Sequence, residues 1–270
     1  MNTKKYFILI ILMSLSFLIL AQKSEIVTTE KEGNIIHFHF NNPNPYPISV
    51  LLDFTELKNM TANKQIPFKV VLKANQSREK VITITPKNKN SHSYRYTFKT
   101  MNGDCNKKHN EKYAYRLPFE KGSKFRVMQG FFGTFSHQKQ HAIDFDMPIG
   151  TKIVAAREGI VIQTKDDSNK RGTTKEFAED GNYIRILHND GTTASYFHLR
   201  KNGVEVKVGD EVEKGQFIGY SGNTGWSTAP HLHFVIYQNS FEKAETVPFL
   251  FETSPKKLEE VKKDKFYTAF

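Results

Sequence analysis

Pro230-His-Leu-His-Phe-Val-Ile-Tyr237 is the stretch around which the rest of this chain can be read. It alternates polar and apolar residues and is rich in β-branched and aromatic types, so it reads as a strand. Side chains on a strand alternate faces, which puts His231 and His233 together on one side and turns Leu232 and Phe234 towards a core. Two imidazoles side by side on a rigid strand can hold a metal, or divide between a ligand and a catalytic group. A His-x-His pair alone carries little weight, and the chain contains its own control. His37-Phe-His39 has the same form, with no Asp or further histidine arranged around it, and reads as the exposed face of a strand.

The second pair has company. His137-Gln-Lys-Gln-His141 runs into Ala142-Ile-Asp144-Phe-Asp146, which places two histidines and two carboxylates just ahead of Gly150-Thr-Lys-Ile-Val-Ala-Ala156. Ser195-Tyr-Phe-His198-Leu199 ends another strand with a histidine. In this order, together with Gly203–Asp210, Val212–Gly219 and Ser221-Gly-Asn-Thr-Gly225, these stretches resemble the lysostaphin-type (LytM-like) zinc metalloendopeptidases of bacterial cell walls. The resemblance covers roughly residues 113–250.

That resemblance implies one zinc ion (Zn2+) per chain, with Asp144 as the metal carboxylate and His233 as the last metal imidazole. It implies His198 and His231 as the two catalytic histidines that are not ligands. The first ligand is where the sequence departs from the family, which usually carries histidine at the position occupied here by Gln140. His141 shares its strand face with Ile143 and not with Asp144. His137 precedes a turn, and a looped insertion would bring it back over Asp144, so His137 is the expected ligand and His141 the alternative. Asp146 shares face parity with Asp144 and reads either as a substrate contact or as a solvated carboxylate. His188 reads as a surface turn residue.

Two imidazoles and one carboxylate leave a metal with an open position for water, as in catalytic and not structural sites. A metal in such a site polarises a carbonyl and brings the pKa of its water towards about 7. The chain has no His-Glu-x-x-His motif, so the glutamate base of helical zinc proteases is absent and histidine takes its part. Asn223 and Trp226, in the Gly-containing run that leads into the His-x-His strand, are expected to bind substrate, although Trp226 serves equally well as packing. The polar insertion from Lys165 to Phe177 reads as a flexible loop flanking the groove.

The expected fold class is mainly β. Short β-type runs between residues 22 and 100 suggest a small, immunoglobulin-like β-sandwich as an accessory domain. Residues 101–112 read as a linker, residues 113–250 as a β-barrel or sandwich peptidase domain, and residues 251–270 as a charged, solvated tail. Lys4 and Lys5 followed by an apolar run to Ala21 read as a signal peptide over residues 1–21, which implies export to the periplasm, cell envelope or exterior and no membrane span once it is cleaved. A single cysteine, Cys105, excludes an internal disulfide framework and any cysteine-based structural zinc site. The net charge of +11 favours an anionic partner. Peptidoglycan fits that requirement in an exported chain, and nucleic acid does not. The competing reading is a catalytically inactive domain of the same fold that binds the wall and activates another hydrolase.

Overall fold

The computed structural model describes residues 25–270. The expected signal peptide, residues 1–21, lies outside the described residues. Among the described residues strands account for 51% and helix for 2%, the mainly β class that the alternating apolar runs demand. Among the described residues no helix is long and apolar enough to cross a membrane.

The N-terminal part is a two-sheet sandwich. One sheet orders Val27–Glu32, Ile35–Phe40, Glu79–Pro86 and Met60–Ala62, and the other orders Phe68–Leu72, Ile48–Lys58 and Ser93–Asn102. Alternation within each strand supplies the core: Phe38, Phe40 and Ile82 from one sheet meet Val50, Leu52 and Leu72 from the other, all fully buried. Phe38 packs edge-on against Phe54 and Tyr96, with ring centroids 5.4 and 5.0 Å apart. His37 and His39 take the opposite face as expected, yet neighbouring side chains cover them. His37 meets Thr83 and Glu32, and His39 lies against Arg78 and Glu30. Neither belongs to a metal-holding cluster among the described residues.

The C-terminal part is built on one large sheet with its own core. Its central strands run Asn182–Leu187, Thr192–Val204, His231–Gln238, Ala142–Asp146 and Lys124–Gln129, each antiparallel to the next. Register is what builds the site: Asp144 pairs with His233, Asp146 with His231, and Phe197 with His233. On the other face Ile143, Phe145, Tyr196, Leu232 and Phe234 form a fully buried layer that fixes this register, because a one-residue slip would turn all of them to solvent.

Three segments differ from expectation. Residues 251–270 are not a solvated tail. Leu250–Ser254 pairs in parallel with Ala114–Arg116, and Phe266–Thr268 adds an edge strand beside Lys124–Gln129. Between them Val261 is 1% exposed, an apolar anchor within the charged sequence. The segment 101–112 is docked along its length: the Cys105 amide donates to Ser49 Oγ at 2.9 Å, and the Asn110 amide donates to Asp190 at 3.0 Å. His188 is 3% exposed, not a surface turn residue, and its Nδ1 donates to the Glu158 carbonyl at 2.7 Å.

The C-terminal strands give a direct test. Deleting residues 255–270 removes the Phe266–Thr268 strand and empties the site of Val261, and burial of a valine alone contributes roughly 1.5–3 kcal/mol. With the lost strand pairing, stability is expected to fall by about 3 kcal/mol. Urea denaturation should show this, and an unchanged midpoint would refute the packing described.

Candidate metal centre and catalytic groove

Asp144 stands in the middle of its strand, 7% exposed, with imidazoles on both sides. Its Oδ1 lies 2.9 Å from His233 Nδ1 and 3.2 Å from His137 Nε2, and those two nitrogens are 3.1 Å apart. Metal–ligand bonds of about 2.0–2.1 Å in tetrahedral geometry separate donors by about 3.3 Å, so this triangle has the dimensions of one face of a zinc-sized site. The donor chemistry agrees. His137 Nδ1 donates to the Gly130 carbonyl at 3.2 Å, which leaves Nε2 as a lone-pair donor facing the other two. The residues fit a divalent cation, and among the described residues they are the cluster that does so.

His137, and not His141, completes the triangle. The loop from Gly130 folds back over the strand, as a looped insertion requires. His141 points to the opposite face, where its amide and Nδ1 both engage Thr246 and its ring packs against Phe131 and Phe132.

The charges around the triangle are tuned by burial and by one another. Burial alone would raise the Asp144 pKa, but hydrogen bonds from His137 and His233 outweigh it and hold the carboxyl well below the usual range. Burial opposes protonation of His137, yet the adjacent carboxylate prevails and its pKa stands above the ordinary value. Burial keeps His233 below its ordinary value.

Two further imidazoles face the same space. His231 Nδ1 donates to the Ala229 carbonyl at 2.7 Å, and its Nε2 lies 3.7 Å from Asp144 Oδ1. His198 Nδ1 donates to the Thr224 carbonyl at 2.7 Å. A carbonyl only accepts, so both rings carry a proton on Nδ1, and in the neutral form of either ring Nε2 is the nitrogen with the free lone pair. The rings are 4.5 Å apart at their centroids. His198 has φ 64°, a left-handed conformation costing about 1–3 kcal/mol in a non-glycine residue. Burial, reinforced by His231 and His233, pushes its pKa down to about 3, so its ring is neutral at neutral pH.

A groove of about 860 Å³ opens onto these residues. Gly130 to Ser136 form one wall, joined by Glu260 to Lys263 from the C-terminal segment; Ala178, Gly181 and Trp226 lie on its lining as well. The insertion before Trp226 is tied down and not free: Arg171–Gly172 pairs with Gly225–Trp226, and Trp226 Nε1 donates to the Thr173 carbonyl at 2.9 Å. None of the lining residues comes from the N-terminal sandwich.

Two expected contacts fall elsewhere. Asn223 is 5% exposed and does not line the groove. Its amide, with nitrogen towards the Ala229 carbonyl and Ser227 and oxygen towards Arg171, braces the turn that precedes His231. Asp146 pairs with Arg126 at 3.1 Å and is likewise outside the lining. The residue that the sequence reading missed is Gln129, 8% exposed, which donates to Asp144 Oδ2 at 3.0 Å. Parity counted from fully buried Val127 would turn Gln129 to the core; a register shift between Asp144 and Phe145 instead sets it opposite Asp144, and the sequence carries no local signal of that shift.

Comparison with known proteins points to one peptidase family. A family model described as Peptidase family M23 matches residues 138–244. Lysostaphin of Staphylococcus simulans is 43% identical over 114 residues, which cover 41% of this chain and 21% of that protein. The crystallised catalytic domain of the same lysostaphin is 35% identical, covering 46% of this chain and 87% of that domain, with a TM-score of 0.34. Residues 138–244 are an M23 peptidase domain. Another relative, the peptidoglycan DD-endopeptidase ShyA of Vibrio cholerae, is 36% identical over 118 residues, or 42% of this chain and 25% of ShyA. The chain thus matches only a fifth to a third of the length of these curated relatives. The M23 domain is of the metalloendopeptidase class, and its family match begins one residue after His137.

Proposed function

We propose that this protein is an exported zinc endopeptidase that hydrolyses peptide cross-links of bacterial peptidoglycan. The observation that carries the reading is the pairing of a donor triangle, His137, Asp144 and His233, with two further imidazoles on the same groove: His231, whose Nε2 lies 3.7 Å from Asp144, and His198, packed against the His231 and His233 rings. When bound, zinc would supply a Lewis acid for the scissile carbonyl and activate a water for attack. The groove binds and orients an extended peptide across the donors, with Trp226 as an apolar wall. His231 accepts a proton at Nε2 and, once protonated, donates from that atom to developing negative charge, beside the His198 ring that burial keeps neutral. Their backbone carbonyl partners keep each ring in the tautomer this needs. The N-terminal sandwich serves as an accessory module, and the surplus of positive charge suits an anionic wall.

Digestion of purified sacculi by residues 22–270 loaded with zinc tests the proposal. New amine and carboxyl ends at a cross-link, identified by mass spectrometry of the released muropeptides, are the expected result and name the bond. Stoichiometric zinc with intact cross-links would overturn the substrate assignment. Intact cross-links with no zinc bound would favour the inactive, wall-binding alternative.

A further inference from the structure

We infer that Gln129 is a positioning residue of the metal centre, whose amide couples the Asp144 carboxylate to the loop carrying His137. The inference rests on reading His137, Asp144 and His233 as metal ligands. Gln129 ends the strand Lys124–Gln129 directly opposite Asp144 in the register. Its side chain spends its full hydrogen-bonding capacity on the Asp144 carboxylate and on the loop just ahead of His137. Oε1 accepts from the Phe135 amide at 3.0 Å and the Ser136 amide at 3.1 Å. Nε2 donates to Ser136 Oγ at 2.8 Å and to Asp144 Oδ2 at 3.0 Å. The orientation is settled by chemistry, because the reversed amide would set an oxygen against a carboxylate and a nitrogen against two N–H donors.

The loop is shaped around this side chain. A Cβ at Gly133 would lie 2.2 Å from Gln129 Cγ, so the backbone there sits directly on the glutamine and only glycine fits. Elsewhere the loop bonds mostly to itself: Phe132 N–H donates to the Gln140 carbonyl at 3.0 Å, and Gln140 N–H to the His137 carbonyl at 2.9 Å. Gln129 therefore ties a self-closed loop to the sheet, immediately before His137.

Two consequences follow for the site. With Oδ2 engaged by Gln129, Asp144 turns Oδ1 towards both imidazoles and offers a metal a single oxygen. With Phe135 and Ser136 fixed, His137 is held at ligand distance although Gln140 occupies the nearer position in sequence. A neutral amide achieves this without adding charge to the centre.

Gln129→Leu keeps the volume and removes all four hydrogen bonds, while Gly133→Ala displaces the glutamine without altering it. Zinc affinity measured by competition with a chromophoric chelator is expected to weaken about 10–100-fold in both, the usual effect of losing a partner that orients a metal ligand. The visible absorption of the cobalt-substituted protein should change in the same variants, because the ligand geometry changes, and melting of the metal-free proteins serves as the control for folding. Wild-type affinity and an unaltered cobalt spectrum in folded Gln129→Leu would overturn the inference while leaving the metal site intact. Should Gln129→Leu fail to fold, unaltered affinity in Gly133→Ala would overturn it instead. No metal binding by the wild-type chain would overturn the site assignment itself, and this inference with it.

Discussion

His231→Ala is expected to lower turnover of cross-linked muropeptides by about 10²–10⁴-fold while leaving zinc bound, the range contributed by a positioned general acid–base or oxyanion donor. His231 lies beside the donor triangle and not within it: its Nε2 is 3.7 Å from Asp144 Oδ1, against 2.9 Å for His233 Nδ1. Removing it should leave the three donors in place, because they are held by the sheet register, Gly130 and Gln129. Since the lost interaction is made in the transition state, kcat and kcat/KM should fall together with little change in KM. Asp144→Ala should behave differently, losing metal and activity at once. The pair of variants separates the two roles that the His-x-His strand brings together. Metal content by atomic absorption and steady-state kinetics on a defined muropeptide provide the readouts. Loss of zinc from His231→Ala would make it a ligand, and near wild-type turnover would remove it from the chemistry.

The sequence was most informative where function and strand periodicity coincide. Alternation alone put His231 and His233 on one face and Leu232 and Phe234 in the core, and the structure has them so. What alternation cannot supply is register between strands distant in sequence, on which the approach of Asp144 to His233 depends. The loop bearing His137 follows no period, and its path is set by side-chain bonds to Gln129 that no local propensity encodes. The C-terminal strands escaped for a related reason. Each is short, and each pairs with a segment more than a hundred residues away. Asn223 was misplaced because a polar residue in a glycine-containing turn next to a site reads equally well as a contact or as a brace, and only burial separates them.

Asp190→Ala is expected to destabilise the protein by about 3–5 kcal/mol, the usual result of breaking a buried ion pair from one side. Its partner Arg157 is 2% exposed and spreads its guanidinium over Asp190 at 2.6 Å, Asn189 at 2.6 Å and the Tyr115 hydroxyl at 3.2 Å, with the Tyr113 ring 3.9 Å away. Truncation takes away the buried partner of that charge, leaving only the more exposed Glu158 at 3.7 Å, and it also removes acceptors for Thr192 and for the Asn110 amide that docks the linking segment. Arg157→Met combined with Asp190→Ala should recover much of the loss, because no uncompensated charge remains. The pH dependence carries a second signature. Burial alone would raise the Asp190 pKa, but hydrogen bonds from Thr192, Asn110 and Arg157 bring it down to about 2. Burial and the nearby Arg157 bring His188 down to about 4. In both cases the unfolded chain binds more protons than the folded one, so stability falls as pH falls. The His188 share is complete above its ordinary value of 6.5 and is lost towards 4, and the Asp190 share is complete above 3.8 and is lost towards 2. Urea titrations across that range should therefore give a wild-type stability that declines in both windows and an Asp190→Ala stability flatter in the lower one. A variant within about 1 kcal/mol of wild type at neutral pH would mean that Arg157 is solvated or paired elsewhere, since a buried lone charge costs more than that.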